Sequence, residues 1–344
     1  MLRITGFKQE SKLIKMVRFS IDTGVGIHYN KVDKLDHTVI EREAFGMKII
    51  VVSGIALILL TGMAFAAFDD TGIGARPIGM GGAFVAVADD VNAAAYNPAG
   101  LGYITKVGAG FTYARMFSGV VNYSHASGML PVGGVGTLGA SFGMLDEESK
   151  TYSEKVITLS YSRRIIESLS LGANLKMLST AFDEDNQWVK DNPYFAENSA
   201  SGFTLDAGIL AKPIVGLSIG LSGENLIPVD MSVSKDGEEK VPMNLRFGLA
   251  YGLATIAASA QQPALKEVLS TTTISLEGAL RKERETNAIK LRAGLESWFA
   301  NQIIGLRAGY SMKKVKESSS ATTVGGSIRV PITGLTLRLD YAMQ

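Results

Sequence analysis

Residues 289–295 read Ile-Lys-Leu-Arg-Ala-Gly-Leu, so that apolar side chains alternate with polar or small ones. The same alternation runs through 335–341, 203–211 and 169–177. Successive side chains of a β-strand point to opposite faces of a sheet, so this period of two predicts strands with one apolar and one polar face. Soluble β-sandwiches show the same alternation. A sandwich and a membrane barrel must therefore be distinguished by the length of the strands and by the residues on the polar face.

Thirteen such segments follow one another from residue 105 onward, and they run about 9–13 residues. A tilted membrane strand needs roughly 9–11 residues, whereas strands of globular sheets commonly have about 5–6. A closed barrel with lipid outside and a polar lumen inside gives this pattern and leaves no strand edge unpaired. We therefore predict an all-β fold, a transmembrane antiparallel β-barrel, with strands at 105–115, 117–127, 133–144, 153–163, 168–179, 201–211, 216–224, 243–252, 271–281, 287–299, 302–311, 320–330 and 334–343.

The polar face of these strands carries charges of both signs among many Gly, Ser and Thr residues. In a barrel this face lines the lumen, where charges either mark a substrate path or close into a network of salt bridges. The mixture of signs favours the network. The predicted lumen-lining charges are Lys176, Asp206, Arg246, Glu277, Lys290, Arg292, Arg307, Arg329 and Arg338.

The count of thirteen strands is odd, whereas single-chain bacterial barrels have an even number. A miscounted strand, a strand from the N-terminal segment or a missing last strand would explain the difference; we expect a barrel of about fourteen strands that lacks the last one. The connections alternate between long or highly charged ones and short ones, with 253–270 as the exception. If the N-terminal segment lies in the periplasm, the long polar connections face the outside of the cell.

The first 66 residues do not follow the strand pattern. Met47 and Lys48 precede an apolar run at 49–68, which contains the small-residue motif Ala64-Phe65-Ala66. This arrangement predicts a secretory signal peptide at 47–66; a signal anchor is the alternative, because the run is just long enough to span a bilayer. We interpret residues 1–46 as a mis-annotated extension, with a genuine long leader as the alternative. The mature chain is expected in the outer membrane of a Gram-negative-type bacterium.

Residues 72–101 read GIGARPIGMGGAFVAVADDVNAAAYNPAGL. The glycines permit close approach of the backbone, and Asp89 and Asp90 can cap a short Ala-rich helix at 92–96 that Pro98 ends. With Arg76, the two aspartates either latch the segment to the barrel wall or form a local ion pair. We predict a hatch segment at 67–104 inside a barrel formed by 105–344. Its motif residues are Gly74, Arg76, Gly79, Gly81, Gly82, Asp89, Asp90, Asn97 and Pro98.

This motif resembles that of the PorV/PorQ family of outer-membrane proteins, in the wider superfamily of FadL-like hydrophobe transporters. The matching positions are Gly74 to Arg76, Gly79 to Phe84, Ala86, Ala88 to Asp90 and Tyr96 to Leu101. The resemblance implies fourteen strands and a hatch in the lumen on the periplasmic side. FadL-like members pass fatty acids or aromatic hydrocarbons into the membrane, whereas PorV-like members hold secreted proteins for the type IX secretion system. We expect passive uptake of small hydrophobic molecules, with the accessory role in secretion as the alternative.

The composition argues against an enzyme or a nucleic-acid-binding protein. The chain has no Cys and only three His, and no nucleophile or paired-carboxylate arrangement stands out, so we predict no catalytic residue, no metal site and no cofactor. A net charge of +1 gives no positive field that would recruit nucleic acid. The expected partners are outer-membrane lipid, a small apolar ligand and, in the alternative function, a secreted protein.

Overall fold

The computed structural model describes residues 72–190, 192–235, 237–282, 287–315 and 318–344; the predicted extension 1–46 and signal peptide 47–66 lie outside these residues. The described residues form thirteen β-strands, one for each strand predicted from the alternation. The strands are β1 (Gly108–Met116), β2 (Val121–Val132), β3 (Gly136–Glu147), β4 (Tyr152–Ile166), β5 (Leu169–Phe182), β6 (Ser199–Ile214), β7 (Leu217–Glu224), β8 (Asn244–Gly252), β9 (Thr273–Lys282), β10 (Asn287–Phe299), β11 (Ile304–Lys314), β12 (Ser318–Ile332) and β13 (Leu335–Met343).

All thirteen strands belong to one antiparallel sheet in which each strand pairs with the next along the chain. β1 and β13 are the two edges, and because their numbers are both odd they run in the same direction. The expectation of a fourteenth strand stays a prediction.

The described residues contain few helices, and all of these are short. They are α1 (Ala75–Gly79), α2 (Ala93–Tyr96), α3 (Gln187–Lys190), α4 (Ala254–Ala257), α5 (Pro263–Ser270) and the 3-10 helices Pro98–Tyr103 and Phe117–Gly119. Within the described part of the chain, no helix is both long and apolar enough to cross a membrane. The connection 253–270, which breaks the alternation of long and short connections, contains α4 and α5.

The two faces of the sheet differ sharply in chemistry. In β6, Phe203 is 62% exposed and Leu205 is 39% exposed, whereas their neighbours Thr204 and Asp206 are buried. The same holds around the sheet: large apolar side chains point outward on every strand, and Thr, Ser, Asn, Arg and Glu side chains point inward. An apolar outer surface of this extent is stable in lipid, not in water. The fold is therefore the predicted transmembrane β-barrel.

Several strands start later than the sequence predicted, and β2 shows the largest difference. β2 was predicted at 117–127, yet it begins at Val121, because Phe117–Gly119 form a 3-10 turn in which Ser118 has φ 58° and Gly119 has φ 96°. Phe117 also has a positive φ, 51°, and a turn with three successive residues in the left-handed region cannot belong to a strand. Alternation alone did not reveal this turn, because the residues on both sides of it continue a plausible apolar pattern.

Residues 72–104, the described part of the hatch segment, pack on the inner face of the sheet. The 3-10 helix Pro98–Tyr103 contacts β3 to β6, and α1 contacts β11 to β13. Between them, Val85 lies against glycines of β7 and β8, and Val91 lies against Gly110 of β1. A segment this short reaches both edges of a thirteen-stranded sheet only because the sheet curves around it.

Glycines in the wall make this close packing possible. A methyl group on Gly309 of β11 would lie 2.0 Å from the backbone nitrogen of Gly81, and one on Gly208 of β6 would lie 2.1 Å from Oδ1 of Asn97. Any larger residue at either position would push the hatch segment away from the wall. Such contacts account for part of the high glycine content of 38 residues.

The connection between β7 and β8, residues 225–243, packs into the barrel at the end opposite the start of β1. Its residues Val229, Met231 and Val241 are buried against Leu178 of β5, with Val156 of β4 beside them. Both of these strand residues point inward. The described lumen is thus covered from one end by this connection and filled from the other by the hatch segment.

Candidate functional site

The hatch segment is shaped by residues with special backbone preferences. Gly74, Gly81 and Gly82 all have positive φ, between 66° and 83°, which favours glycine. The side chain of Asn97 accepts a hydrogen bond from the backbone N–H of Ala99 and so caps the 3-10 helix, where Pro98 takes the first position. The motif residues Gly81, Asn97 and Pro98 therefore determine the local path of the chain.

The predicted helix cap differs from the observed one. Asn92 is the N-cap residue of α2, and no side chain caps this helix. Instead, one carboxylate oxygen of Asp90 accepts hydrogen bonds from the backbone and side-chain nitrogens of Asn92, at 2.9 and 3.0 Å. The other oxygen is turned toward two arginines, because a buried carboxylate gains more from full positive charges than from a helix end.

Six charged side chains close a ring between the hatch segment and the wall. Arg76 binds both oxygens of Glu296, at 2.7 Å each, and Asp90 at 3.0 Å. Asp90 binds Arg338 at 2.7 Å, and Arg338 binds Asp340 at 2.8 Å. Arg307 completes the ring with distances of 3.4 Å to Asp340 and 2.5 Å to Glu296.

This ring, hereafter the latch ring, consists of Arg76, Asp90, Arg338, Asp340, Arg307 and Glu296. Three positive and three negative charges alternate around it, so its net charge is zero. Asp89 also contacts Arg76 but is half exposed. The sequence left open whether Arg76 forms a local ion pair or latches the segment to the wall. In the structure Arg76 does both, because it pairs with Asp89 and Asp90 and also with Glu296 of the wall.

Electrostatics favour the charged forms of the two hatch residues in the ring. Burial raises the pKa of Asp90, but Arg76 and Arg338 outweigh burial and bring it down from 3.8 to about 2. For Arg76, burial lowers the pKa, but Asp89 and Glu296 raise it well above its ordinary value. Both groups are therefore ionised at every pH at which the protein would function.

A second network joins the hatch segment to β7 through β10. Arg246 binds Glu224 at 2.9 Å and Glu277 at 2.7 Å, and Arg292 binds Glu277 at 2.6 Å. The second carboxylate oxygen of Glu277 accepts hydrogen bonds from the backbone N–H groups of Phe84 and Val85 at 3.0 Å each. Glu277 thus receives both wall cations and hatch backbone donors, and its side chain is fully buried.

The remaining predicted lumen charges lie in different surroundings. Lys176 binds Asp206 at 2.7 Å, and Asp206 also accepts a hydrogen bond from Asn174, whose amide donates to the backbone of Ala94 in the hatch segment. Lys290 is partly buried on β10. Arg329 stacks 4.0 Å over the ring of Trp298 near the end of β12. Of the nine predicted charges, Arg307 and Arg338 are in the latch ring, and Arg246, Glu277 and Arg292 are in the second network.

Three inward charged residues are missing from the predicted lumen-lining charges, although the alternation along their strands also indicates them. Glu296 has the same parity as Arg292 in β10, Asp340 the same as Arg338 in β13, and Glu224 lies at the end of β7. Counting charges by parity along each strand would have found Glu296 and Asp340. Glu296 lies directly opposite Arg307 on the neighbouring strand, and Asp340 lies two strands beyond Arg307, so neither pairing could be seen without the register.

A small cavity lies between the hatch segment and the wall. Its volume is about 150 Å³, and its lining includes Tyr96 of the hatch segment, His125, Lys176 and Asp206. A pocket for a drug-sized ligand has roughly 300–1,000 Å³. The space beside the docked hatch segment is therefore too small for a long apolar molecule. The described residues contain no group of three or more His, Asp or Glu placed to hold a metal ion.

The chain has the fold of FadL-type barrels. Its structure is similar to that of a FadL homologue from Pseudomonas aeruginosa, with a TM-score of 0.54 and 11% sequence identity over 78% of this chain and 88% of that chain. It is also similar to the toluene transporter TbuX from Ralstonia pickettii, with a TM-score of 0.49 and 12% identity over 77% of this chain and 91% of that chain. No protein-family model and no curated protein matches the sequence. The narrower PorV/PorQ resemblance stays a prediction.

Proposed function

We propose that the protein is an outer-membrane barrel for the passive uptake of small hydrophobic molecules, in which the hatch segment is the gate. The observation that carries this proposal is the latch ring, which ties a compact segment inside the lumen to the wall through ion pairs and hydrogen bonds. A plug held by a large apolar interface would be a permanent part of the core. Charged groups on both surfaces, in contrast, can be rehydrated when the segment moves.

The size of the lumen cavity supports a gate over an open pore. With about 150 Å³ of space beside the hatch segment, a fatty acid or an aromatic hydrocarbon passes only if the segment shifts. The likeness to a FadL homologue is one of fold, and we extend it to function because this chain combines that fold with a plugged lumen and an apolar outer surface. We further propose that the hatch segment faces the periplasm, because it enters β1 at the end with mostly short connections.

The alternative function is that of an accessory barrel of the type IX secretion system, as the PorV/PorQ resemblance implies. It requires long connections that present apolar or charged surface to a secreted protein. One of the two longest polar connections, 225–243, buries Val229, Met231 and Val241 inside the barrel, which leaves less of it for a partner. We therefore favour uptake.

A disulfide between the hatch segment and the wall tests the gate. The chain has no cysteine of its own, and a Cβ atom on Gly110 would lie 3.6 Å from the Cβ of Val91. Disulfides need about 3.5–4.5 Å between these atoms. The double variant V91C/G110C should therefore form a reversible lock between the hatch segment and β1.

Uptake is measured in a Gram-negative host that lacks its own fatty-acid channel, with radiolabelled palmitate and naphthalene as probes. We expect the oxidised double variant to fall to the uptake of the host alone, and a membrane-permeable reductant to restore it. The single variant V91C, treated in the same way and present in equal amount, controls for the redox treatment. Uptake that does not depend on the redox state of V91C/G110C would contradict the hatch as a gate. Wild-type uptake equal to that of the host for both probes would contradict the function itself.

A further inference from the structure

A second and larger cavity lies at the end of the barrel that carries the long connections. Its volume is about 330 Å³, within the range of small-molecule pockets. The inward residues at the ends of β3, β4 and β5 form its wall, and Met231 from the connection 225–243 lies against it. We call it the vestibule. Glu154 of β4 lines both the vestibule and the small lumen cavity, so the two cavities are neighbours.

The lining of the vestibule combines negative charge with aromatic rings. Glu147, Glu154 and Glu239 line it, and none of the described residues that line it is Lys, Arg or His. The ring of Tyr152 packs 4.8 Å from that of Phe182, and Phe182 in turn packs edge-on at 5.0 Å against a third ring behind it. The two rings that line the vestibule are thus packed together in the protein alone. Carboxylates beside aromatic faces attract a cation with an apolar body, through charge and through the cation–π interaction.

A buried hydroxyl in the same wall lacks a partner. Thr180 of β5 lines the vestibule, is 2% exposed, and its hydroxyl oxygen has no hydrogen-bond partner among the described residues. It lies directly opposite Glu154 on the neighbouring strand. A buried hydroxyl without a partner has lost its hydrogen bonds to water and gained none in return. A ligand that brings an N–H donor to this point would satisfy it.

We propose that the vestibule binds a protonated amine with a small apolar or aromatic body. The ammonium group lies among the carboxylates of Glu147, Glu154 and Glu239 and donates one hydrogen bond to Thr180, while the apolar body packs on Tyr152 and Phe182. Binding at this site does not require transport. If the protein takes up small molecules, as proposed above, the vestibule would also select which molecules enter; this extension rests on the proposed function.

Three probes of similar shape and different charge test the proposal. Phenethylammonium, 2-phenylethanol and 3-phenylpropionate are titrated by calorimetry against the full chain in lipid nanodiscs at neutral pH. We expect the ammonium to bind at least about tenfold more tightly than the neutral alcohol, since a hydrogen bond to a charged group contributes about 1.5–3 kcal/mol. The anion should not bind measurably. Equal binding of the three probes, or no binding of the ammonium, would overturn the proposal.

Neighbouring residues of the same type provide a matched control. The double variant E147Q/E239Q removes two lining charges, whereas E148Q/E238Q removes the adjacent charges, which are exposed and do not line the vestibule. We expect the first to weaken binding of phenethylammonium about tenfold or more and the second to change it less than about twofold. Equal effects of the two double variants would refute a site in the vestibule.

A third variant, Thr180→Val, keeps the shape of the side chain and removes only the hydroxyl, so it remains informative if E147Q/E239Q fails to fold. It should weaken phenethylammonium binding severalfold and leave quaternary phenyltrimethylammonium, which has no N–H donor, unaffected. Identical binding of phenethylammonium to T180V and wild type would count against the proposal.

The vestibule and the proposed function can fail separately. Binding of phenethylammonium without uptake of palmitate or naphthalene would contradict only the proposed function. Uptake without binding of phenethylammonium would contradict only the proposal for the vestibule.

Discussion

Asp90 anchors the hatch segment, and its replacement by Asn measures how strongly the latch ring holds. The side chain is buried and lies 3.0 Å from Arg76 and 2.7 Å from Arg338. Asn keeps the size and one oxygen acceptor but loses the charge. Its neighbour Asp89 also contacts Arg76, yet Asp89 is half exposed, so Asp89→Asn is a control with the same change in charge one residue away.

The pKa of Asp90 gives the size of the effect. A fall from 3.8 to about 2 means that the docked hatch segment favours the carboxylate over the neutral acid by about 2 kcal/mol. Because Asn resembles the neutral acid, Asp90→Asn should make opening of the hatch segment about 2 kcal/mol easier, roughly a thirtyfold change in the opening equilibrium. Water screens Asp89, so Asp89→Asn should change opening by less than about 1 kcal/mol.

Hydrogen exchange followed by mass spectrometry measures this opening. The backbone N–H groups of Phe84 and Val85 are bonded to Glu277 when the hatch segment is docked, so they exchange only after it opens. Their exchange should be about thirtyfold faster in Asp90→Asn and nearly unchanged in Asp89→Asn, while strand amides keep their protection in both. Equal exchange in wild type and Asp90→Asn would refute the reasoning, because the ring would then contribute nothing to docking.

Three further outcomes follow from the same contacts. The pKa of Asp90 is lowered in the docked state, so the contribution of Asp90 to docking is complete above about pH 4 and is lost as the pH falls toward 2. After correction for intrinsic exchange rates, hydrogen exchange of the hatch segment should therefore rise from about pH 4 to about pH 2 in wild type. It should not rise in Asp90→Asn. Gly309→Ala places a methyl group 2.0 Å from the nitrogen of Gly81 and should destabilise docking by about 1–3 kcal/mol. In Gly326→Ala, where the nearest atom is 3.8 Å away, hatch exchange should match wild type; equal rates in the two glycine variants would contradict the close approach. Glu277→Gln removes the carboxylate that two buried arginines share, although Arg246 keeps Glu224. It should lower the thermal unfolding midpoint of the barrel on gels, in line with a loss of about 3–5 kcal/mol; an unchanged midpoint would show that the second network is dispensable.

The candidate site was only partly visible in the sequence. Parity along single strands identified Arg307 and Arg338 as inward charges, and it would have identified Glu296 by the same rule. No single strand shows that Arg76, more than two hundred residues before Glu296, is its partner. The vestibule was invisible for the same reason, since Glu154 and Thr180 become neighbours only when β4 and β5 pair in register.

The sequence by itself determined the thirteen strands, the two faces of the sheet and the existence of a compact segment before β1. These features depend on local chemistry, namely the alternation of side chains and the backbone preferences of Gly, Asn and Pro. The tertiary structure decided which charges meet, how small the lumen cavity is and how the connection 225–243 packs into one end of the barrel. Those properties depend on strand register and on contacts between residues far apart in the chain, because a shift of one residue would turn every inward charge of a strand toward lipid.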